Sequence, residues 1–138
     1  ICIGTQDAEG ARDVERSYLL QLGRTNRGVY ADTLLNDGDT FSVCGMDFTV
    51  IETPGHTKGS VCYVCGRDIF CGDTVFKDGF GRCDLYGGDE EKMLSSLLTL
   101  RKFFEENGTD YVLHPGHGGK LSAEYFIKQT EFLKRGKI

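Results

Sequence analysis

The chain lacks several features that would place it in other classes of protein. No apolar run reaches the length of a membrane-spanning helix, which argues against a membrane-embedded chain. Basic residues are not in excess, since 16 Lys and Arg against 21 Asp and Glu give a net charge of −5. This balance argues against nucleic acid or an anionic membrane as partner. No linker or low-complexity tract divides the 138 residues, so we expect one domain.

Proline and histidine are also scarce, and they occur together. Each of the two prolines opens a Pro-Gly-His triplet, and the two triplets together contain two of the three histidines. The triplets are 54–56 and 115–117, and each follows a short apolar run. Because proline restricts one backbone angle and glycine permits the turn that follows, each triplet is expected to end a strand and present an imidazole.

A third apolar run, 69–71, stops at Gly72-Asp73-Thr74. Two histidines and an aspartate just past strands, His56, His117 and Asp73, have the composition of a metal site. The alternative is that the histidines form hydrogen bonds in loops and the aspartate caps a turn, which the residue pattern leaves open. His114 precedes a proline and is pushed toward an extended conformation, so we do not count it as a ligand.

The six cysteines are 2, 44, 62, 65, 71 and 83. Cys62 and Cys65 have CxxC spacing, but they lie in a β-rich apolar run, where residues three apart point to opposite faces. We therefore expect small buried hydrophobes and free thiols rather than a zinc cluster or disulfides. Scattered unpaired cysteines predict a reducing, cytoplasmic location.

Hydrophobic periodicity predicts alternating strands and helices. The expected helices run from Asp7 to Leu22 (apolar stripe Ala8, Ala11, Val14, Tyr18, Leu22), from near Asp89 to Asn107, and from Ser122 to 134–136. The expected strands are 41–43, 46–50, 61–65, 69–71 and 111–113, with loops at 23–33 and 76–89. Cys44-Gly45 and Gly66-Arg67-Asp68 predict the turns of two hairpins. This order predicts an α/β or α+β fold, a mixed sheet with flanking helices.

Four motifs, in order, carry a family resemblance. They are Thr-Pro-Gly-His-Thr-x-Gly-Ser at 53–60, Gly-Asp-Thr-x-Phe at 72–76, Gly-Arg-x-Asp-x-x-Gly-Gly-Asp at 81–89 and Pro-Gly-His-Gly at 115–118. From about Asp32 to Phe132 the chain resembles the metallo-β-lactamase-fold hydrolases, in particular their glyoxalase II-like branch. The resemblance implies the C-terminal half of an αβ/βα sandwich.

That family opens with a His-x-His-x-Asp-His motif, which this chain does not contain. We therefore expect residues 1–138 to be a single partial domain, the C-terminal portion of a longer protein. A half sandwich would leave a sheet face uncovered, and large apolar patches tend to find partners. We expect self-association through that face.

The resemblance also implies a chemistry. His56 would complete the ligand set of a first metal ion, Asp73 would bridge two ions, and His117 would bind the second. Zinc is the default for such ligands, with iron or manganese compatible. A metal-activated water would hydrolyse a small ester or thioester, and no side chain is assigned as catalytic. With three ligands of a two-metal set, we expect little or no turnover from the chain alone.

Arg82 and Asp84 fall in the expected site loop. Arg82 has three interpretations: a surface ion pair, a contact for an anionic substrate, or an organiser of the loop with Asp84, which we favour. Two other functions stay open: a non-catalytic association domain, and an iron-dependent thiol or persulfide oxygenase on the same scaffold.

Overall fold

A computed structural model of the chain describes residues 1–13, 15–17, 22–23 and 28–135. The strands are β1 (Cys2–Gly4), β2 (Thr33–Leu35), β3 (Thr40–Val43), β4 (Met46–Glu52), β5 (Val61–Cys65), β6 (Asp68–Gly72), β7 (Val75–Phe76), β8 (Gly79–Phe80), β9 (Val112–Pro115) and β10 (Leu121–Ser122). The helices are α1 (Ala8–Arg12), α2 (Glu90–Asn107) and α3 (Ala123–Gln129), with short 3₁₀ helices at Thr5–Asp7 and Glu131–Arg135. None of the described helices is long and apolar enough to cross a bilayer.

Six strands form the main sheet in the order β10-β9-β6-β5-β4-β3. The pairing of β6 with β9 is parallel and the other four pairings are antiparallel, which confirms the predicted mixed sheet. The parallel pair is long-range, since the chain leaves β6, passes through α2 and returns as β9. This crossover brings the ends of β6 and β9, and the turns that follow them, to the same edge of the sheet.

The two predicted hairpins are confirmed. Between β3 and β4, Cys44 and Gly45 both have positive φ, 52° and 76°, as a tight two-residue hairpin turn requires. Between β5 and β6 the turn is Gly66-Arg67, and Asp68 already belongs to the strand.

The core lies between one face of the sheet and the helices. Ile51, Cys62, Ile69 and Leu113 come from the sheet, and they pack with the apolar stripe of α2. Helix α2 begins as predicted, because Asp89 accepts a hydrogen bond from the Lys92 N–H, and it ends at Asn107 with Gly108 as its C-cap. All six thiols are free, as predicted, but only Cys62 and Cys71 are buried. Cys65 and Cys83 are half-buried and Cys2 and Cys44 are exposed, so the prediction of buried cysteines is wrong for most of them.

The opposite face of the sheet carries a row of rings. Phe41, Phe48, Tyr63, Phe70 and His114 come from five different strands, and neighbouring rings have centroids 5.2 to 6.4 Å apart. Phe70 is 43% exposed. We call these five side chains the aromatic face.

Two helix predictions are wrong in length. Among its described residues, the predicted helix 7–22 is helical in α1, Ala8–Arg12, and ends there. Asp13 has an extended backbone (φ −98°, ψ 115°), and its carboxylate accepts the N–H groups of Glu15 and Arg16. Aspartate side chains often form such hydrogen bonds with nearby backbone N–H groups, and the resulting turn replaces the helix. Val14 and Tyr18 of the predicted stripe lie outside the described residues.

The last helix begins at the predicted Ser122 cap but ends at Gln129 rather than near 134. There the Thr130 hydroxyl donates to the Phe126 carbonyl and accepts from the buried Arg101 guanidinium. Five short strands were not predicted. They are β1 and β2, which pair in parallel, β7 and β8, which form a small hairpin at the start of the predicted 76–89 loop, and β10, which pairs with β9.

Candidate metal centre

The first Pro-Gly-His turn follows β4 and rests on the start of α2. The Ser96 hydroxyl donates to the Pro54 carbonyl at 2.7 Å, and the Asp89 N–H donates to the Gly55 carbonyl at 2.8 Å. Since α2 is anchored in the core, these two bonds tie the His56 loop to a rigid element.

The second Pro-Gly-His turn lies against the segment that carries Asp73. Strand register pairs Gly72 with Pro115, and the Gly116 N–H donates to the Gly72 carbonyl at 2.7 Å. A Cβ at Gly116 would lie 2.4 Å from Oδ1 of Asp73, so a larger residue here would displace this carboxylate. The parallel β6–β9 pairing therefore places His117 beside Asp73.

The three residues that the sequence proposed as ligands come together. Nε2 of His56 lies 3.4 Å from Oδ2 of Asp73, and Nε2 of His117 lies 3.5 Å from the same oxygen. His56 and Asp73 are 22% and 28% exposed, whereas His117 is 77% exposed. Two imidazoles from separate turns therefore converge on one carboxylate at the surface of the sheet edge.

The ring of His56 has a defined orientation. Its Nδ1 lies 2.8 Å from the Arg82 carbonyl oxygen, which can only accept, so the hydrogen is on Nδ1. In the neutral ring, Nε2 then presents a lone pair to the Asp73 carboxylate. A lone pair and an anionic oxygen repel each other unless a proton or a metal cation lies between them.

These donors fit a metal ion in type and spacing. Imidazole nitrogen and carboxylate oxygen are common zinc ligands, and in a tetrahedral site adjacent ligand atoms lie about 3.4 Å apart. The two nitrogen–oxygen distances at Asp73, 3.4 and 3.5 Å, match that edge. Within the described ranges, however, no group of three or more His, Cys, Asp and Glu side chains has the arrangement of a metal site. His56, Asp73 and His117 therefore match such a site in donor type and in these two distances only.

His114 lies elsewhere. Its Nε2 is 2.7 Å from Oδ1 of Asp68, and its ring stacks on Phe70 within the aromatic face. The structure thus separates the third histidine from the Asp73 cluster.

Arg82 and Asp84 form a clamp within one loop. The guanidinium donates Nε–H and Nη2–H to the two carboxylate oxygens of Asp84, both at 2.8 Å. These hydrogen bonds from Arg82 lower the pKa of Asp84 to about 2. A Cβ at the neighbouring Gly81 would lie 1.8 Å from the Asp73 carbonyl oxygen, so the loop packs directly on the segment that carries Asp73.

Two contacts that support the cluster were not predicted from the sequence. The hydroxyls of Thr53 and Thr74 meet at 2.9 Å in a fully buried position and link the His56 turn to the Asp73 turn. Asp7, from the N-terminal segment, accepts hydrogen bonds from the Thr57 hydroxyl and the Gly59 N–H. Nothing in the local pattern marks Asp7, because its partners lie 50 and 52 residues away.

Two clefts border the cluster. One, of about 300 Å³, is lined by residues that include Asp7, Arg16, Thr57, Lys58 and Tyr86. The cations of Arg16 and Lys58 lie 5.1 and 5.4 Å from the centre of the Tyr86 ring. The other cleft, of about 220 Å³, reaches Asp73 itself. The larger cleft, which we call the Tyr86 cleft, is lined by Thr57, the residue after His56, but by none of the three cluster residues.

Comparison with known proteins agrees with this geometry. Residues 6–117 match the family described as the metallo-beta-lactamase superfamily. A hydroxyacylglutathione hydrolase from Klebsiella pneumoniae is 42% identical over 73 residues, which are 53% of this chain and 28% of that enzyme.

Two solved structures are similar over most of the chain. BLEG-1, a B3 metallo-beta-lactamase, is 26% identical with a TM-score of 0.80, over 96% of this chain and 64% of its own. TTHA1623, solved in a di-iron-bound form, is 24% identical with a TM-score of 0.75, over 94% of this chain and 62% of its own. The chain thus spans less than two thirds of each of these relatives.

Proposed function

The chain belongs to the metallo-β-lactamase superfamily, and on that premise we propose that it supplies part of the metal site of a glyoxalase II-like hydrolase acting on thioesters or esters. The observation that carries the proposal is the convergence of His56 and His117 on one oxygen of Asp73. Further support comes from the similarity to hydroxyacylglutathione hydrolase, a thioester hydrolase by its name.

The proposed donor roles rest on the family resemblance, and the geometry supports them. His56 and His117 each offer one imidazole nitrogen, and Asp73 lies between them with two oxygens that can be shared by two ions. Bound zinc, or iron or manganese, would supply Lewis acidity toward the carbonyl and would lower the pKa of a bound water to about 7. The Arg82 carbonyl keeps Nε2 of His56 facing Asp73, and Gly116 keeps the carboxylate accessible.

The Tyr86 cleft is the proposed substrate channel. Lys58 has no carboxylate within 4.0 Å among the described residues, whereas Arg16 is paired with Glu9 and Asp13. Asp7 and Glu9 also line this cleft, but the Lys58 ammonium lies over the Tyr86 ring and is not paired with either of them, so it suits an acyl substrate that carries a carboxylate. The substrate class we propose is therefore an anionic acyl thioester or ester.

Two alternatives each have one observation in their favour. The di-iron form of TTHA1623 shows that a protein of this fold accommodates iron, which favours an iron-dependent thiol or persulfide oxygenase. The exposed aromatic face favours an association domain with no chemistry.

The experiment is a calorimetric titration of the metal-free chain with Zn²⁺, Mn²⁺ and, without oxygen, Fe²⁺. Each metal-loaded sample is then tested for thiol release from a hydroxyacyl-glutathione thioester. We expect zinc binding that is weakened in Asp73→Asn, and slow thiol release that depends on the metal. Selective Fe²⁺ binding with oxygen uptake in the presence of a thiol would favour the oxygenase instead. Failure to bind any of the three metals would overturn both and leave the association domain.

A further inference from the structure

The contact between His56 and the Arg82 carbonyl selects one form of the imidazole. With the hydrogen on Nδ1 at 2.8 Å from that oxygen, Nε2 is bare and faces Asp73 at 3.4 Å. In the other tautomer, Nε2–H would point at the carboxylate and could bond it directly. Without the Arg82 carbonyl, Asp73 would therefore draw the hydrogen to the nitrogen that a metal needs.

The carbonyl is held from the Gly81 side by close packing. A Cβ at Gly81 would meet the Asp73 carbonyl oxygen at 1.8 Å and the Cβ of His56 at 3.2 Å. The Gly81 N–H also donates to the Thr74 carbonyl at 3.3 Å. The residue before Arg82 is thus in contact with both partners of the His56–Asp73 pair.

On the other side, the carbonyl is held by the clamp between Arg82 and Asp84. Both hydrogen bonds measure 2.8 Å, and the fork geometry fixes the guanidinium and carboxylate planes relative to each other. The clamp spans only two residues, so it restrains the backbone that contains the Arg82 carbonyl. The guanidinium is engaged inside its own loop, and it is the backbone oxygen of Arg82 that reaches His56.

We propose that Arg82 is a positioning residue: its side-chain clamp with Asp84 fixes its own carbonyl, and that carbonyl holds His56 in the Nδ1–H tautomer with Nε2 directed at Asp73. The inference deepens the proposed function, because a bare Nε2 is what a metal ion requires. The tautomer is nevertheless a property of the metal-free chain and can be read without any activity.

The test uses the fact that the chain has only three histidines. Long-range ¹H–¹⁵N spectra of the metal-free protein, at a pH where the imidazoles are neutral, report which ring nitrogen carries hydrogen. The variants are Asp84→Asn, which keeps the shape and loses the charge, and Arg82→Lys, which keeps the charge and loses the fork. The matched control is Asp68→Asn, which removes the charged partner of His114 instead.

We expect His56 of the unaltered chain to show the Nδ1–H pattern. Both loop variants should shift its two nitrogens toward a mixture of tautomers, and zinc affinity should fall about 10- to 100-fold, as for other partners of metal-binding histidines. Asp68→Asn should move only the His114 signals. Far-ultraviolet circular dichroism checks that each variant is folded.

Two results would overturn the inference: an Nε2–H pattern at His56 in the unaltered chain, or an unchanged His56 tautomer in both loop variants. Unchanged His56 signals with weaker thioester binding would assign Arg82 to the substrate instead. The proposed function can fail independently of this inference. If the chain shows the expected tautomer but binds no metal, Arg82 keeps its positioning role and the hydrolase proposal is wrong.

Discussion

Nε2 of His117 lies 3.5 Å from Oδ2 of Asp73, although the long helix α2 separates the two residues in the chain. The parallel register of β6 and β9 explains the contact, because it pairs Gly72 with Pro115 and leaves the two turns side by side. The proposed metal site therefore depends on the sheet as much as on its ligands.

The Asp73 carboxylate should dominate metal affinity. Asp73→Asn preserves the shape but removes the charge and one strong acceptor between the two imidazoles. We expect zinc affinity to fall at least about tenfold in calorimetry. His114→Ala is the matched control and should leave affinity unchanged, because His114 pairs with Asp68. Equal losses in the two variants would contradict the assignment of the site.

The six thiols should fall into distinct reactivity classes. Burial raises the pKa of Cys62 to about 11 and that of Cys71 to about 12, whereas Cys2 and Cys44 are exposed. The thiolate is the reactive form, and at pH 8 only roughly one thousandth of the Cys62 side chains should be thiolates. Iodoacetamide labelling followed by mass spectrometry should mark Cys2 and Cys44 first. If Cys62 and Cys71 were labelled as fast as Cys2 and Cys44, the core would be accessible to the reagent and the prediction would be wrong.

The buried hydroxyl pair should be costly to break. Thr53→Val leaves the Thr74 hydroxyl without its 2.9 Å partner in a site with no solvent access. We expect a loss of about 1–3 kcal/mol in the free energy of unfolding, measured with urea. The double variant Thr53→Val/Thr74→Val should cost less than the sum of the singles. Thr99→Val on the exposed surface of α2 should stay within about 0.5 kcal/mol.

The aromatic face should drive self-association of the 138-residue chain. Phe70 is 43% exposed and contacts the rings of Phe48 and His114. Phe70→Thr keeps a good strand former and removes much of the exposed ring surface, so it should shift the chain toward monomer. Chromatography with light scattering over a range of concentrations measures this. Leu98→Gln, which removes an exposed apolar residue from α2, should leave association unchanged. A chain that is monomeric throughout would contradict this prediction.

The Arg82–Asp84 clamp should persist in acid. The hydrogen bonds from Arg82 lower the pKa of Asp84 from 3.8 to about 2. A depressed carboxyl pKa means that the contribution of the pair is complete above the unfolded-state value and is lost as the pH falls through about 2. The carboxyl ¹³C shift of Asp84 should show this midpoint, and Arg82→Gln should return it toward 3.8. An unchanged midpoint in the variant would rule out Arg82 as the cause.

Much of the fold could be predicted from local patterns. Period-two alternation located the strands on both sides of Cys44-Gly45, and short apolar runs located those on both sides of Gly66-Arg67. The Asp89 and Ser122 caps located the starts of α2 and α3. These features depend on neighbours within a few residues, which is where sequence patterns carry information. The failure at Asp13 is of the same kind, since its side chain competes locally with the helix in a way that hydrophobic periodicity does not register.

The sequence by itself determined the chemistry of the candidate site: two imidazoles and one carboxylate, each in a turn after a strand. Only the tertiary structure decided how they meet. The β6–β9 crossover brings His117 to Asp73, the Arg82 carbonyl sets the His56 tautomer, and Asp7 supports the His56 loop from the far N-terminal segment. Such contacts join residues far apart in the chain, and one of them uses a backbone oxygen that every residue possesses. Residue identity therefore cannot reveal them, because they depend on where the folded backbone places these groups.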